Sequence, residues 1–247
     1  MSNITVTPLF SGSSGNCTYI RGGNTRILID AGVSARRIRQ GLGYVGCTDG
    51  DIDALFITHE HRDHIAALPV LMKKCSAPVH MTEESYLGSG LCLSVCTHET
   101  VYTVQVGELT VRSFPLSHDS ACCVGYTVEY DGHRVGFMTD TGYVTDEAVC
   151  LLCGCEQVVI ECNHDRVMLR NGAYPYYLKE RIAGRRGHLS NMDCADFCAF
   201  LAGRGTRDFY LAHLSRENNE PDIAYSAVMS RLAGTGAKVH IAPEAII

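Results

Sequence analysis

The chain has 247 residues and a formal net charge of −6 at pH 7, from 21 basic and 27 acidic side chains. This acidic balance excludes broad electrostatic binding to long duplex nucleic acid, which requires an extended basic surface. Apolar residues make up 46% of the chain and charged residues 19%, which is typical of a globular protein with a large core and excludes a disordered chain.

The chain is predicted to form one domain, residues 1–247, located in the cytoplasm. Sandwiches and barrels of this length often fold as single units. Residues 1–6 lack the basic and apolar regions of a signal peptide, and no stretch approaches the roughly 18 apolar residues that a membrane span requires. We therefore expect no membrane association, and no protein partner is indicated.

The 13 cysteines are expected to be reduced thiols, because their number is odd and their spacings are irregular. Cys150, Cys153 and Cys155 could be mistaken for half of a zinc site, but no second pair with matching spacing follows. They are predicted to fill a helix-to-strand junction as small buried side chains. The same interpretation applies to Cys122, Cys123, Cys194 and Cys198. A contribution of Cys162 to a polar site is left open.

The first half of the chain is mostly extended. The predicted strands cover residues 5–10, 18–21, 25–30, 52–57, 78–82, 101–106 and 109–114. Gly22-Gly23-Asn24 indicates a hairpin turn between the second and third of them. One helix is predicted to begin near Ser34, and another to cover residues 65–74 and to end before Pro78.

The second half alternates strands with helices. Strands at residues 124–130 and 134–139 flank Asp131-Gly132, a strong signal for a type I′ hairpin turn. Further strands are predicted at residues 157–161, 207–212 and 238–241, and helices at residues 146–152, 176–183, 192–202 and 224–233. Ser190-x-x-Asp193 resembles a capping box at the start of one helix, with aspartate in place of the usual glutamate.

A cluster of metal-ligand side chains follows the apolar run 52–57. His59, His61, Asp63 and His64 place three imidazoles and a carboxylate within six positions. His59 and His61 project together from an extended tip, whereas Asp63 and His64 are expected to turn towards a second position. Neutral imidazole suits Zn²⁺, and the carboxylate also admits Mn²⁺. The cluster therefore predicts a site for two divalent metal ions.

Three more candidate ligands lie where other strands end. His118 follows the strand at residues 109–114, Asp140 follows the strand at 134–139, and His213 follows the strand at 207–212. Together with the first cluster they give seven ligands, which suffice for two ions if Asp140 bridges them and a water or hydroxide occupies the remaining position.

These motifs resemble the metallo-β-lactamase superfamily along the whole chain. The resemblance rests on the Thr-His-x-His-x-Asp-His cluster, the later lone histidine, the segment 139–142 (TDTG) and the segment 213–215 (HLS). Three further segments resemble the YycJ (WalJ-like) family of nucleases. They are residues 11–16 (SGSSGN), residues 187–191 (GHLSN) and residues 213–219, whose sequence is HLSRENN.

The resemblance implies an αββα four-layer sandwich of the α+β class. Two mixed β-sheets face each other, helices cover the outer faces, and the metals lie at one edge where the strand-end loops meet. It also implies phosphodiester hydrolysis. Only 22 positions separate His118 from Asp140. We therefore expect little beyond one hairpin between them, and no long arm of the kind found in transfer-RNA processing enzymes.

The expected reaction is in-line attack on phosphorus by a hydroxide held between the two metals. Asp63 is expected to orient the hydroxide, and His188 to donate a proton to the leaving oxygen. Glu161, at the end of a strand, would orient the His188 imidazole. Arg185 and Arg186, beside His188, are predicted to hold a phosphate.

Four other polar residues are candidates for substrate contact: Ser13, Asn16, Asn163 and His164. An ordinary turn explains each of them equally well, and the glycine-bearing loop around Ser13 and Asn16 could instead support the metal ligands. Lys179, Arg181, Arg185 and Arg186 form a basic run that leads to His188. Such a local basic lip suits a strand end or a short oligonucleotide better than an internal site. The expected activity is therefore that of an exonuclease acting on DNA, with RNA, the direction of digestion and the native metal left open.

Three alternatives compete with this interpretation. A thioester hydrolase of the glyoxalase II type would use nearly the same ligands but should carry a helical region for the glutathione carboxylates, which is not found. A β-lactamase is disfavoured, because the commonest such enzymes bear a cysteine in the second metal site. A non-catalytic regulatory relative should have lost ligands, and none is missing.

Overall fold

The structure is a computed structural model that describes residues 4–246. Residues 1–3, on which the expectation about a leader segment partly rests, and Ile247 lie outside the described residues. Two mixed β-sheets pack face to face and helices cover their outer faces. This arrangement confirms the predicted αββα sandwich.

The first sheet is formed by the N-terminal part of the chain, with strand order β1-β2-β3-β4-β5-β6. The first three strands are antiparallel, and β3 to β6 are parallel. Its strands are β1 (Ile4–Phe10), β2 (Cys17–Gly22), β3 (Thr25–Ile29), β4 (Ala54–Phe56), β5 (Val79–Thr82) and β6 (Cys96–His98).

The second sheet has the order β13-β12-β11-β10-β9-β8-β7. Its strands are β7 (Thr103–Val106), β8 (Leu109–Leu116), β9 (Cys123–Tyr130), β10 (His133–Met138), β11 (Gln157–Glu161), β12 (Asp208–Ala212) and β13 (Lys238–Ile241). β10 to β13 are parallel, and β7 to β10 are antiparallel. Asp131 and Gly132 join β9 to β10 with φ of 49° and 77°, so the predicted type I′ turn is confirmed.

Within residues 4–246 the helices are α1 (Ala35–Tyr44), α2 (Arg62–Ile65), α3 (Leu68–Leu71), α4 (Glu83–Ser89), α5 (Asp146–Leu152), α6 (Arg166–Asn171), α7 (Tyr176–Ala183), α8 (Asn191–Ala202) and α9 (Pro221–Arg231). Ser34 caps α1 by accepting a hydrogen bond from the Arg37 amide. Helices α1 and α3 pack on the first sheet, and α5, α8 and α9 pack on the second.

The two sheets share a core of apolar side chains from both inner faces. Ile20, Ile27 and Phe56 come from the first sheet, whereas Val111 and Tyr126 come from the second, and all five are fully buried. Continuous burial along β3, β4 and β11 reflects strands covered on both faces, as parallel segments usually are. This core fixes the position of one sheet relative to the other.

The single helix predicted at residues 65–74 is wrong. The chain forms two short helices instead: α2 begins at Arg62 and contains the predicted ligands Asp63 and His64, and α3 follows it. Between them the Ala67 amide donates to the Ala31 carbonyl, a bond to another part of the fold. Pro69 in the first turn of α3 has no amide hydrogen to continue the α2 ladder.

Some elements went unpredicted or were predicted only in part. Helices α4 and α6 and strand β6 are all short and carry little periodicity. Ser190 does cap α8, since its hydroxyl oxygen accepts from the Asp193 amide at 3.3 Å. The Asp193 carboxylate bonds the Ser190 hydroxyl and Arg166 instead of closing the capping box on the Ser190 amide.

All 13 cysteines are free thiols. Cys155 is buried at the junction between α5 and β11 as predicted, but Cys150 lies on the exposed face of α5, so its predicted burial is wrong. Cys162 is buried and donates to the Asn191 side-chain oxygen at 3.1 Å, away from the metal ligands. None of the helices in residues 4–246 combines the length and apolarity that crossing a membrane demands.

Candidate metal centre and active site

Three acidic or imidazole side chains follow strands in left-handed backbone conformations. Asp30 after β3, Asp140 after β10 and His213 after β12 have φ of 63°, 61° and 55°. A positive φ is uncommon for residues other than glycine and costs about 1–3 kcal/mol where the surrounding structure enforces it. Each of these residues reverses the chain at a strand end and is buried in the same region.

The predicted first metal position is formed by His59, His61 and His118. One nitrogen from each ring lies within 4.8 Å of the others. The ring centroids are 4.6 Å apart for His59 and His61, and His118 lies 5.1 Å from both. The loop after β4 supplies the first two rings and the loop after β8 supplies the third.

The predicted second position is formed by Asp63, His64 and His213, whose ligand atoms also lie within 4.8 Å of one another. Asp140 lies between the two positions. Its carboxylate is 3.4 Å from His64 Nε2 and 3.9 Å from His118 Nε2. The structure thus brings all seven predicted ligands together, with Asp140 placed to bridge.

The chemistry of the donor atoms fits divalent cations. Several buried side-chain atoms of the described residues have no hydrogen-bond partner, and three of them belong to predicted ligands: His59 Nε2, His213 Nε2 and Asp140 Oδ2. Leaving buried polar atoms unpaired is costly unless another group binds them. Burial works to lower the pKa of His213, but Asp140, Asp63 and Glu161 raise it well above its ordinary value. The negative field that favours a proton there would also favour a metal cation.

Asp30 was not identified from the sequence, although it supports the second metal position. Its fully buried carboxylate accepts from His64 Nδ1 at 2.8 Å and from the Thr58 amide at 2.9 Å. These bonds fix the tautomer of His64, so that Nε2 is its ligand nitrogen. The available signal was its position: Asp30 closes β3 just as Asp140 follows β10.

The glycine-bearing loop at residues 11–16 supports the metal ligands. Asn16 is buried, its amide nitrogen lies 3.3 Å from the Asp63 carbonyl and 3.2 Å from His64 Nε2, and its Oδ1 accepts from the Gly12 amide. Asn16 therefore occupies the supporting position that the sequence left open as an alternative to substrate contact. Gly32 packs against this segment so closely that a Cβ there would lie 1.5 Å from the Asp63 carbonyl oxygen.

Asn163 also lies behind the site. It is buried and its side chain donates to the His213 carbonyl at 2.8 Å, so it supports the backbone of a predicted metal ligand. Ser13, in contrast, is exposed and lines an open depression beside Asp63.

Glu161 connects the metal ligands to His188. It is fully buried, and its Oε1 accepts from His188 Nδ1 at 2.8 Å and from His213 Nδ1 at 2.9 Å. Its Oε2 accepts from the amides of Thr141 and Leu189. Burial works to raise the pKa of Glu161, but the adjacent His188 and His213 hold it below its ordinary value. Glu161 therefore stays charged and orients two imidazoles at once.

His188 lies beside the metal centre, with Nδ1 3.7 Å from the Asp140 carboxylate. Burial works to lower its pKa, but Glu161 raises it above the ordinary value. The preceding Gly187 allows a close approach: a Cβ there would lie 2.2 Å from the Ile182 carbonyl oxygen. The Gly187 carbonyl in turn accepts from His118 Nδ1 at 3.1 Å. The backbone that positions His188 thus also orients a metal ligand.

The two arginines predicted to hold phosphate are engaged elsewhere. Arg186 Nε donates to the His118 carbonyl at 3.1 Å, and the Arg185 guanidinium lies 4.1 Å from the centre of the Tyr143 ring. Arg181, a further member of the basic run, is paired with Asp119. Arg186 and Arg181 thereby support the loop that carries His118, and phosphate binding by Arg185 and Arg186 stays a prediction.

Several cavities border the predicted site residues, and the two described next are the larger of those lined by His188 or Asp63. The His188 cavity, of about 430 Å³, lies between α6, α7 and the start of α8; its lining includes His164, Arg170, Tyr176, Lys179 and His188. The Asp63 depression, of about 600 Å³, borders a predicted metal ligand; its lining includes Ser13, Arg37, Arg62 and Asp63. Burial lowers the pKa of His164 to about 4, so its imidazole is neutral at pH 7.

Residues 25–214 match the family model described as "Beta-lactamase superfamily domain". The crystal structure of the metallo-β-lactamase fold protein YhfI from Bacillus subtilis superposes with a TM-score of 0.77 at 17% identity, covering 98% of both chains. Zn²⁺-bound PqqB from Methylobacterium extorquens superposes with a TM-score of 0.67, also at 17% identity and 98% coverage of both chains. Fold and site together define a metal-dependent hydrolase of the metallo-β-lactamase fold.

Two proteins of similar sequence identify the family within this superfamily. "Exodeoxyribonuclease WalJ" of Streptococcus pneumoniae (serotype 2, strain D39) is 36% identical over 233 residues, covering 91% of this chain and 87% of the relative. "Exodeoxyribonuclease YycJ" of Bacillus anthracis is 33% identical over 234 residues, covering 92% and 89%. The chain belongs to the WalJ/YycJ family of this superfamily, as its motifs predicted.

Proposed function

We propose that this protein is a dinuclear-metal-dependent phosphodiesterase that removes nucleotides from DNA ends. His59, His61 and His118 would hold one cation, Asp63, His64 and His213 the other, and Asp140 would bridge them. Two bound divalent cations, zinc or manganese, would supply a water whose pKa falls from 15.7 to about 7 and would neutralise charge on the phosphate. Asp63 is placed to orient the attacking water by hydrogen bonding.

The observation that carries the proposal is the pair formed by His188 and Glu161. A nucleotide alkoxide needs a proton to leave, whereas a thiolate, with a pKa of about 8.5, leaves unaided. The buried carboxylate of Glu161 occupies Nδ1 of His188 and favours the protonated ring. His188 can then donate from Nε2 to the leaving oxygen. A thioester hydrolase has no need of this arrangement.

The two cavities also favour a polymeric substrate. The Asp63 depression borders a predicted metal ligand and the His188 cavity borders the proposed proton donor, so neighbouring parts of one strand can bind in both. The names of the WalJ and YycJ relatives support DNA over RNA as the substrate. The free thiols fit a reducing compartment, and we place the protein in the cytoplasm.

A substrate panel tests the proposal. Protein purified without chelator and supplied with Zn²⁺ or Mn²⁺ is incubated with 5′- and 3′-labelled single- and double-stranded DNA, matching RNA, and a glutathione thioester. We expect stepwise shortening of DNA that EDTA abolishes. Asp140→Asn, purified identically, controls for a contaminating nuclease and should be inactive. Thioester hydrolysis with intact oligonucleotides would overturn the assignment.

A further inference from the structure

We propose that the His188 cavity is a nucleoside subsite, in which Tyr176 stacks on the base of the nucleotide whose oxygen leaves. The inference rests on the proposed phosphodiesterase function and extends it to the part of the substrate that is recognised. Because His188 is placed to protonate the leaving oxygen, the sugar that carries this oxygen lies on the His188 side of the metal centre. The cavity begins at that side chain.

The size and shape of the cavity suit one nucleoside. Its volume of about 430 Å³ lies within the range of roughly 300–1,000 Å³ that small-ligand sites occupy. Leu169 and Ala183 give it apolar surface, and Tyr176 lies at its lining with 77% of its surface exposed. Apolar side chains beside an exposed aromatic ring form a surface on which a nucleobase can stack.

His164 supplies the polar group that a base edge requires. Its side chain is only 2% exposed, it lines the cavity, and its Nδ1 has no hydrogen-bond partner among the described residues. A neutral imidazole offers one donor and one acceptor. A nucleobase presents both on its edges, so it can satisfy a ring nitrogen that the fold leaves unpaired.

The charges around the cavity suit a nucleotide better than a neutral ligand. Arg166 and Asp193 pair with each other at 2.7 Å, which leaves Arg170 and Lys179 against Glu180. Lys179 Nζ donates to the Arg170 carbonyl at 2.8 Å, which holds the ammonium at the lining. These three side chains leave one excess positive charge beside the Tyr176 ring. A nucleotide, which joins a negatively charged phosphate to a base, matches this combination.

The test compares base-bearing and abasic substrates in steady-state hydrolysis. Labelling first identifies the digested end and the products, and so shows which nucleotide carries the leaving oxygen. That nucleotide is then replaced by a tetrahydrofuran abasic residue. Wild type should lose roughly 5- to 100-fold in kcat/KM on the abasic oligonucleotide, mainly through KM, which is the range that stacking on one aromatic side chain provides. On the normal substrate, Tyr176→Ala should have a kcat/KM as low as that of wild type on the abasic oligonucleotide. On the abasic oligonucleotide, Tyr176→Ala and wild type should have the same kcat/KM.

Two variants control for side effects. Tyr176→Phe keeps the ring and should behave as wild type. Tyr177→Ala removes the adjacent tyrosine, which is 73% exposed but does not line the cavity, and should also behave as wild type. As an independent measurement, thymidine 5′-monophosphate should inhibit wild type at a lower concentration than 2-deoxyribose 5-phosphate, and Tyr176→Ala should remove the difference.

The outcomes separate this inference from the function on which it rests. If wild type digests oligonucleotides but cleaves the abasic substrate equally well, or if Tyr176→Ala matches Tyr177→Ala, the subsite assignment is wrong and the phosphodiesterase stands. If wild type digests no oligonucleotide at all, the phosphodiesterase proposal fails and the subsite falls with it.

Discussion

Replacing His188 by alanine tests the proton donor directly. In the structure Glu161 occupies Nδ1 of His188, which leaves Nε2 as the nitrogen available to the substrate. General acid catalysis contributes typically about 10²–10⁴-fold, or roughly 3–5 kcal/mol of transition-state stabilisation. We expect His188→Ala to lower kcat on an oligonucleotide by such a factor. KM and the metal content should change little, because none of the seven predicted ligands is altered.

The leaving group decides between proton donation and other roles. With bis(p-nitrophenyl) phosphate the departing nitrophenolate needs no proton, so His188→Ala should lose less than about tenfold on this substrate. His240→Ala, which removes a surface imidazole bonded to Asp208, serves as the matched control and should leave both rates unchanged. Equal large losses of His188→Ala on both substrates would refute the assignment and place His188 in phosphate binding or in the support of Asp140.

Four further predictions concern the metals and their supports. Elemental analysis of metal-replete protein should find two ions per chain, and Asp140→Asn should lose both together; a maximum of one ion would contradict the seven-ligand assignment. Asp30→Ala should lower the free energy of unfolding in urea by about 2–5 kcal/mol, because it leaves the buried Thr58 amide and His64 Nδ1 without an acceptor and places alanine at a φ of 63°. Asp30→Asn should lower it less, because asparagine tolerates that φ. Burial lowers the pKa of His80 to about 4 in the folded state, against about 6.5 in the unfolded chain. The neutral imidazole therefore stabilises the fold fully above about pH 6.5, and this contribution is lost as the pH falls towards 4. His80→Phe should make the free energy of unfolding in urea depend less on pH between these values, and an unchanged dependence would contradict this. Arg186→Ala should weaken metal retention, because Arg186 supports the loop that carries His118. Arg170→Ala should instead raise KM for oligonucleotides and reduce the salt dependence of KM by the amount expected for about one lost phosphate contact. The opposite pattern would identify the basic run around Arg186 as the binding surface.

The sequence was sufficient for the features that depend on local spacing. His59, His61, Asp63 and His64 are so close along the chain that they must share one loop after a buried strand. The type I′ turn at Asp131 and the strands beside it also follow from a few adjacent residues. The fold class followed from the resemblance, and His118, Asp140 and His213 were found by asking which other strands end in a polar side chain.

Features that depend on partners distant in the chain could not be found this way. Asp30 bonds His64 across 34 positions, and Asn163 bonds the His213 carbonyl across 50. The residues around Asp30 and Asn163 in the sequence do not predict these contacts. Arginine is a residue type that often binds phosphate, yet the Arg186 guanidinium donates to the carbonyl of His118, 68 positions away. The residue type alone did not indicate this backbone partner.

The position of the metal centre depends on how the two sheets are joined. The first sheet supplies His59, His61, Asp63 and His64, and the second supplies His118, Asp140 and His213. Two bonds tie the loop after β4 to β9: the Tyr126 hydroxyl donates to the Ile57 carbonyl at 2.6 Å, and the Val124 amide donates to the Thr58 carbonyl at 3.1 Å. Since a bridging Asp140 must face ligands from both sheets, small sliding between the sheets would separate its partners. The fully buried ring of Tyr126 therefore holds the centre together from the core, although it touches no ligand.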